Sequence, residues 1–68
     1  MTNTALLEEC IEKSGYKKAF IAKALNITAY ALSMKINGKS EFKASEIDIL
    51  CKLLNIGVMD RMRIFFAQ

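Results

Sequence analysis

Apolar residues recur along this chain at helical spacing, and no segment alternates in the manner of a β-strand. A first helix is predicted over about residues 4–14, with Thr4 as its N-cap and Gly15 directly after its end. The next residue, Tyr16, is expected to turn toward the core. The apolar face of this helix is predicted to consist of Leu6, Leu7, Cys10 and Ile11.

Residues 17–36 predict two helices separated by a very short break. The second helix covers about residues 17–25, and its inward face is predicted to contain Ile21, Ala22 and Leu25. Asn26 follows, and asparagine is, after glycine, the residue that best adopts the left-handed conformation of a helix end. Thr28 is a good N-cap for a third helix over about residues 29–36. Two helices joined by so short a turn are typical of a helix-turn-helix unit.

Two further helices are predicted after a loop over about residues 38–43, the fourth over about residues 44–54 and the fifth over about residues 59–66. The fourth has apolar residues at the i, i+3, i+4 and i+7 positions, namely Ile47, Leu50, Cys51 and Leu54. The apolar residues of the fifth are Val58, Met62, Phe65 and Phe66. Residues 1–68 are therefore expected to form one all-α domain, a bundle of about five helices.

Composition argues against a membrane or secreted protein. No apolar run approaches the roughly 18 residues that a membrane span requires. Residues 1–12 carry three glutamates and no basic residue, the reverse of the start of a signal peptide. We therefore expect a cytoplasmic protein.

The residue types also argue against catalysis. The chain has no histidine, which removes the commonest general base and metal ligand. Cys10 and Cys51 lack metal-ligand spacing, and both fall on apolar stripes, so reduced core residues are expected. The chain also lacks a glycine-rich phosphate loop. We expect no enzyme activity, no metal and no cofactor.

Charge is unevenly distributed along the chain. The net charge is +3, but residues 13–43 carry seven lysines against one glutamate, while residues 44–68 are neutral. The basic excess coincides with the predicted helix-turn-helix and the loop after it. A phosphate backbone attracts such a surface, although a merely solvated lysine-rich surface is an alternative.

Three segments resemble the Cro/repressor-type helix-turn-helix family of phages and bacteria: residues 21–28 (IAKALNIT), 35–39 (KINGK) and 63–67 (RIFFA). The last resembles the short Cro-like proteins of temperate phages. The resemblance implies a lambda-repressor-like bundle with its helix-turn-helix core at about residues 18–36. It also implies a homodimer that binds operator DNA and represses transcription.

The third helix is the part expected to read DNA bases. If Leu32 and Ile36 face the core, the rotation of about 100° per residue turns Tyr30 and Met34 outward. The predicted base contacts are Thr28, Ala29, Tyr30, Ser33 and Met34. The resemblance further implies phosphate contacts by Lys18, Asn37, Lys39 and Lys43, with Lys17 and Lys35 as weaker candidates.

The aromatic residues predict both packing and association. Phe20 is expected to pack under the terminal helix. Either Phe65 or Phe66 should fill the core against Leu6 or Leu50, and the other should be partly exposed. We expect a homodimer through the fifth helix, with Phe65 and Phe66 at its interface. The alternative is that both rings are buried within one chain.

Two features differ from the family pattern. Asn26 stands where the turn residue is usually glycine, and the third helix carries few hydrogen-bonding side chains. The second feature favours an alternative function, in which the protein binds a partner such as a co-encoded repressor instead of DNA. A third interpretation is an antitoxin or another small regulator with the same fold.

Overall fold

Five α-helices account for most of residues 2–66, the part of the chain that the computed structural model describes. They are α1 (Thr4–Ser14), α2 (Lys18–Ala24), α3 (Ala29–Ile36), α4 (Ala44–Leu53) and α5 (Val58–Phe65). Residues 2–66 contain no strand. Within the same residues, no helix has both the length and the apolar character needed to cross a membrane. The predicted all-α bundle is confirmed, and the predicted bounds of α2, α4 and α5 differ from the observed ones by a single residue at each affected end.

Local hydrogen bonds explain where α1 begins and ends. The predicted N-cap, Thr4, is wrong, because the Oδ1 atom of Asn3 accepts the hydrogen bond from the Leu6 N–H at 3.1 Å. Thr4 is instead the first helical residue. Gly15 ends the helix with a φ of 77°, a left-handed conformation that glycine adopts without steric cost.

One hydrophobic core joins all five helices. Its most deeply buried large side chains include at least one from each helix: Leu7, Ile21, Leu32, Ile36, Leu50 and Ile64. Full burial of such a side chain contributes about 1.5–3 kcal/mol. The inward prediction for Ile21, Ala22 and Leu25 on the second helix is confirmed, since all three are buried.

The two cysteines occupy the core and its edge, which agrees with the packing role predicted for them. Cys51 is buried, and Cys10 is half-buried. Burial raises the pKa of both thiols, aided at Cys10 by the charge of Asp60. Both side chains therefore favour the protonated form, which is a poor nucleophile.

Tyr16 and Phe20 do not enter the core, so both predictions of burial are wrong. Each side chain is about half exposed, and the two rings stack on each other with centroids 5.0 Å apart. Ile21 takes the inward face of α2, and its neighbour Phe20 is rotated outward by about 100°. The core receives a loop residue, Phe42, whose ring packs edge-on against Phe65 at 5.6 Å.

Candidate nucleic-acid interface

Helices α2 and α3 pack against each other across a tight turn. Asn26 lies in this turn with a φ of 58°, as predicted for a left-handed residue. The N–H of Ile27 donates to the carbonyl of Ala22 at 3.0 Å, which fastens the turn to α2. Thr28 is the N-cap of α3, because its Oγ1 accepts from the Ala31 N–H at 3.0 Å. The turn is thereby held at both of its ends.

Helix α3 has one buried face and one exposed face. Leu32 and Ile36 are each 1% exposed, while Tyr30 is 74% exposed, so the predicted orientation is confirmed for these three residues. Met34 is half-buried. The other four predicted base contacts are exposed, and we call the set of five the α3 outer face: Thr28, Ala29, Tyr30, Ser33 and Met34.

A shallow groove of about 460 Å³ lies between α2 and the start of α3. Its lining residues are Ala19, Ala22, Lys23, Asn26, Ile27, Thr28 and Ala29. Alanine side chains occupy three of these positions, so little bulk stands beside the first turn of α3. The start of the α3 outer face is accessible from this side, as entry into a DNA groove requires.

The predicted phosphate contacts lie on two segments, one at the start of α2 and one directly after α3. Lys18 is the first residue of α2. Asn37, Lys39 and Lys43 lie on the connection between α3 and α4, and all three are exposed. Asn37 is the C-cap of α3, and Lys43 is the N-cap of α4. The two sets thus lie next to opposite ends of the α2–α3 unit.

Most of the exposed lysines in and next to α2 and α3 are uncompensated by ion pairs. Within residues 2–66, the ion pairs involve none of the exposed lysines at positions 17, 23, 39 and 43. Both arginines, in contrast, are paired with aspartates: Arg61 with Asp48 and Arg63 with Asp60. In the part of the chain that the structure describes, the arginines of α5 are therefore compensated, whereas lysines 17, 23, 39 and 43 present free ammonium groups, as does Lys52 on α4.

Lys35 does not belong to this exposed set. Its ammonium group lies 2.7 Å from Oε1 of Glu46, and its side chain is only 12% exposed. The prediction of Lys35 as a weak phosphate contact is wrong, because a nearly buried, paired ammonium is not presented to a ligand. The partners lie on different helices with the non-helical residues 37–43 between them, so helical periodicity gave no signal for the pairing. The available signal was Glu46 at the third position of α4, where a glutamate reaches back to a helix N-terminus.

The electrostatic state of Glu46 follows from its partners. Burial alone raises the pKa of this carboxyl group. Hydrogen bonds from the Lys35 ammonium and the Lys43 N–H outweigh burial and hold the pKa below its usual range. The group is therefore ionised at neutral pH and forms a charged pair with Lys35.

The predicted dimer residues separate in the structure. Phe65 is 5% exposed and belongs to the core, so its prediction as an interface residue is wrong. Phe66 is 51% exposed, which confirms that one ring enters the core and the other does not. Phe66 and three exposed apolar residues of α5 form a surface that we call the α5 outer face: Val58, Met59, Met62 and Phe66. Ala67, part of the segment that resembles Cro-like proteins, lies outside the described residues.

The fold and this surface define a small all-α domain that presents one helix beside free lysines. The chain belongs to the family described as "Protein of unknown function (DUF739)", whose model matches residues 3–68. No curated protein and no solved structure matches the chain. The family description gives no activity, so the function rests on the chemistry of the exposed surface.

Proposed function

We propose that the protein is a sequence-specific DNA-binding transcriptional regulator, a Cro-like repressor that places α3 in the major groove of operator DNA. The supporting observation is the orientation of α3. Leu32 and Ile36 lie almost completely buried on one side of the helix, while Tyr30 is about three-quarters exposed on the other. An exposed helix flanked by free lysines matches the shape and the charge of a major groove.

The α3 outer face contains no charged side chain, so base reading relies on small contacts. Ala29 and the methyl group of Thr28 suit thymine methyl groups. The hydroxyl of Thr28 accepts the capping hydrogen bond, and its own hydrogen remains available to donate. Ser33 and Tyr30 add hydroxyl groups for base edges or phosphates. Such a surface favours methyl contacts and shape over bidentate hydrogen bonds.

The phosphate contacts fix the position of α3 on the duplex. Lys39 and Lys43 are exposed on the connection that follows α3, and Lys18 is exposed at the start of α2. Lysines in these places neutralise phosphates without reading sequence. Together with Asn37 they grip the backbone on both sides of the groove. A protein with this role shares a compartment with DNA, and we therefore propose a cytoplasmic location.

Operators of such regulators are read by two-fold symmetric dimers, and the α5 outer face is our proposed interface. Val58, Met62 and Phe66 follow one another at a spacing of four residues, which places them along one side of a helix. Exposed contiguous apolar residues mark association surfaces. A symmetric dimer predicts paired DNA half-sites.

Selection of bound fragments from a random DNA pool at low salt tests the proposal directly. A symmetric consensus and a steep loss of affinity with salt are expected. Lys39→Met and Lys43→Met should each weaken binding to all sequences and reduce the salt slope by about 0.9. Lys52→Met, at an exposed site on α4, is the matched control. A flat salt response, or no bound DNA at low salt, would refute DNA binding.

One observation favours the second candidate function, a modulator that binds a partner protein such as a co-encoded repressor. The α3 outer face presents an exposed tyrosine and a half-buried methionine, and both residue types are enriched at protein interfaces. Tyr30→Ala distinguishes the candidates. Loss of operator affinity supports DNA reading, whereas loss of a repressor complex with unchanged DNA affinity supports the modulator.

A further inference from the structure

One carboxylate oxygen joins the end of α3 to the start of α4. Oε1 of Glu46 accepts hydrogen bonds from the Lys35 ammonium at 2.7 Å and from the Lys43 N–H at 2.8 Å. Glu46 is 6% exposed, so water does not compete freely for these bonds. Charged hydrogen bonds of this kind are the stronger ones in proteins. The backbone of Lys43 is thereby fixed relative to α3.

The Lys35 ammonium also holds the middle of the connection over residues 37–43. It donates to the carbonyl of Glu41 at 3.2 Å and lies 5.8 Å from the centre of the Phe42 ring. Phe42 is itself buried against Phe65. With a carboxylate, a carbonyl and an aromatic face around it, this ammonium is satisfied within the protein.

The first half of the connection is fastened separately. The N–H of Lys39 donates to the carbonyl of Met34 at 2.9 Å, and the N–H of Gly38 donates to the carbonyl of Lys35 at 3.2 Å. The backbone of Lys39 is therefore fixed directly to the end of α3. Lys43, at the other end of the connection, is held to α4 by the Ile47 N–H, which donates to its carbonyl at 2.9 Å, and is linked to α3 through Glu46 and Lys35.

We propose that Lys35 and Glu46 are positioning residues that hold Lys43 in place for its phosphate, although neither of them touches DNA. This inference rests on the proposed function, because the phosphate contact of Lys43 is part of it. Without the pair, the segment around Lys43 has to be ordered when DNA binds, and that ordering lowers the affinity. The number of neutralised phosphates stays the same.

Salt dependence separates positioning from contact. Lys35→Met should weaken operator binding by about tenfold, the effect of ordering one extra residue on binding. Its slope of log affinity against log salt should equal that of the wild type, whereas Lys43→Met should reduce the slope by about 0.9. Glu46→Gln should retain most of the affinity, because its amide oxygen can accept both hydrogen bonds. If Lys35 and Glu46 served only the stability of the fold, Lys35→Met and Glu46→Gln would bind the operator with equal affinity at a temperature where both are folded.

Amide hydrogen exchange of the free full-length variants supplies a second measurement. Faster exchange of the Lys43 N–H, which donates to Glu46 in the wild type, is expected in Lys35→Met, with Glu46→Gln close to the wild type. A reduced salt slope in Lys35→Met overturns the inference, because it shows a direct phosphate contact, and so does unchanged affinity in that variant. If the wild type binds no DNA in any sequence, the proposed function fails and this inference fails with it. If the wild type binds DNA and Lys35→Met binds it with the same affinity, the positioning role is overturned while the proposed function stands.

Discussion

The ammonium group of Lys18 lies 3.1 Å from Oε1 and 3.3 Å from Oε2 of Glu8, so the first residue of α2 is paired with α1. Both side chains are about half exposed, and exposed ion pairs of this kind contribute about 0–1 kcal/mol. So weak a pair does not prevent Lys18 from binding a phosphate. It does mean that Glu8 competes with the phosphate that we propose for Lys18.

Glu8→Gln is therefore expected to strengthen operator binding. Loss of the competing carboxylate should raise the affinity by up to about fivefold, the equivalent of about 1 kcal/mol. Fluorescence anisotropy with a labelled operator at low salt measures the effect. Glu9→Gln is the matched control on the same helix, because Glu9 pairs with Lys13 instead. An equal gain in the two variants would indicate a general charge effect and no specific release of Lys18.

The α2–α3 region was predictable because its determinants are local in sequence. Thr28 caps α3 through a residue three positions away, and Asn26 satisfies the left-handed turn by its own conformational preference. The inward residues of both helices follow helical spacing, as Leu32 and Ile36 show. The exposure of the candidate DNA-reading residues follows from the same spacing.

Asn26 gives a test of this local determinant. A left-handed conformation costs an ordinary side chain about 1–2 kcal/mol, so Asn26→Ala should destabilise the fold by about 1 kcal/mol. Asn26→Gly should be neutral or slightly stabilising, because glycine adopts a φ of this kind freely. Urea unfolding followed by circular dichroism gives both values. Asn37→Ala is the control, since Asn37 has a φ of −81°. A similar loss in Asn26→Gly would show that the Asn26 side chain matters and not its φ.

The remaining features depend on contacts between residues far apart in the chain. Tyr16 stacks on Phe20 outside the core, and Phe42 enters it from a loop that has no periodic pattern. The ion pair of Lys35 with Glu46 bridges two helices. Neither composition nor spacing identifies which aromatic residue fills a core position. The shape of the space left between the five packed helices decides which side chain fits.

Acid stability tests the Lys35–Glu46 pair independently of DNA. Folding lowers the pKa of Glu46 below its value in the unfolded chain, which is about 4.3. The unfolded state therefore binds the proton more readily, and the pair contributes its full stability above that unfolded value. The contribution is lost as the pH falls through the folded pKa.

The free energy of unfolding of the wild type should consequently exceed that of Glu46→Gln most clearly near neutral pH. The difference should shrink as the pH falls below about 5 and through the lowered pKa of Glu46. Urea titrations across this range measure it, with Glu12→Gln on the exposed side of α1 as the control for loss of a carboxylate. A difference that is constant with pH would show that the Lys35–Glu46 pair is not coupled to folding.

The α5 outer face leads to the last prediction, which concerns association. Met62 is exposed at the centre of this surface, between Val58 and Phe66, while the opposite side of α5 is anchored by Ile64 in the core. Met62→Lys therefore places a charge in the proposed interface without disturbing the folded monomer. Burial of a methionine contributes about 1.5–3 kcal/mol, and a two-fold dimer contains this residue twice. The dimer dissociation constant should rise by at least about tenfold in sedimentation measurements.

Ile49→Lys provides the matched change at an exposed apolar position on α4 and should leave association unaltered. If the wild type sediments as a monomer at every concentration tested, the dimer proposal is refuted. Equal weakening by both substitutions would instead move the interface away from α5.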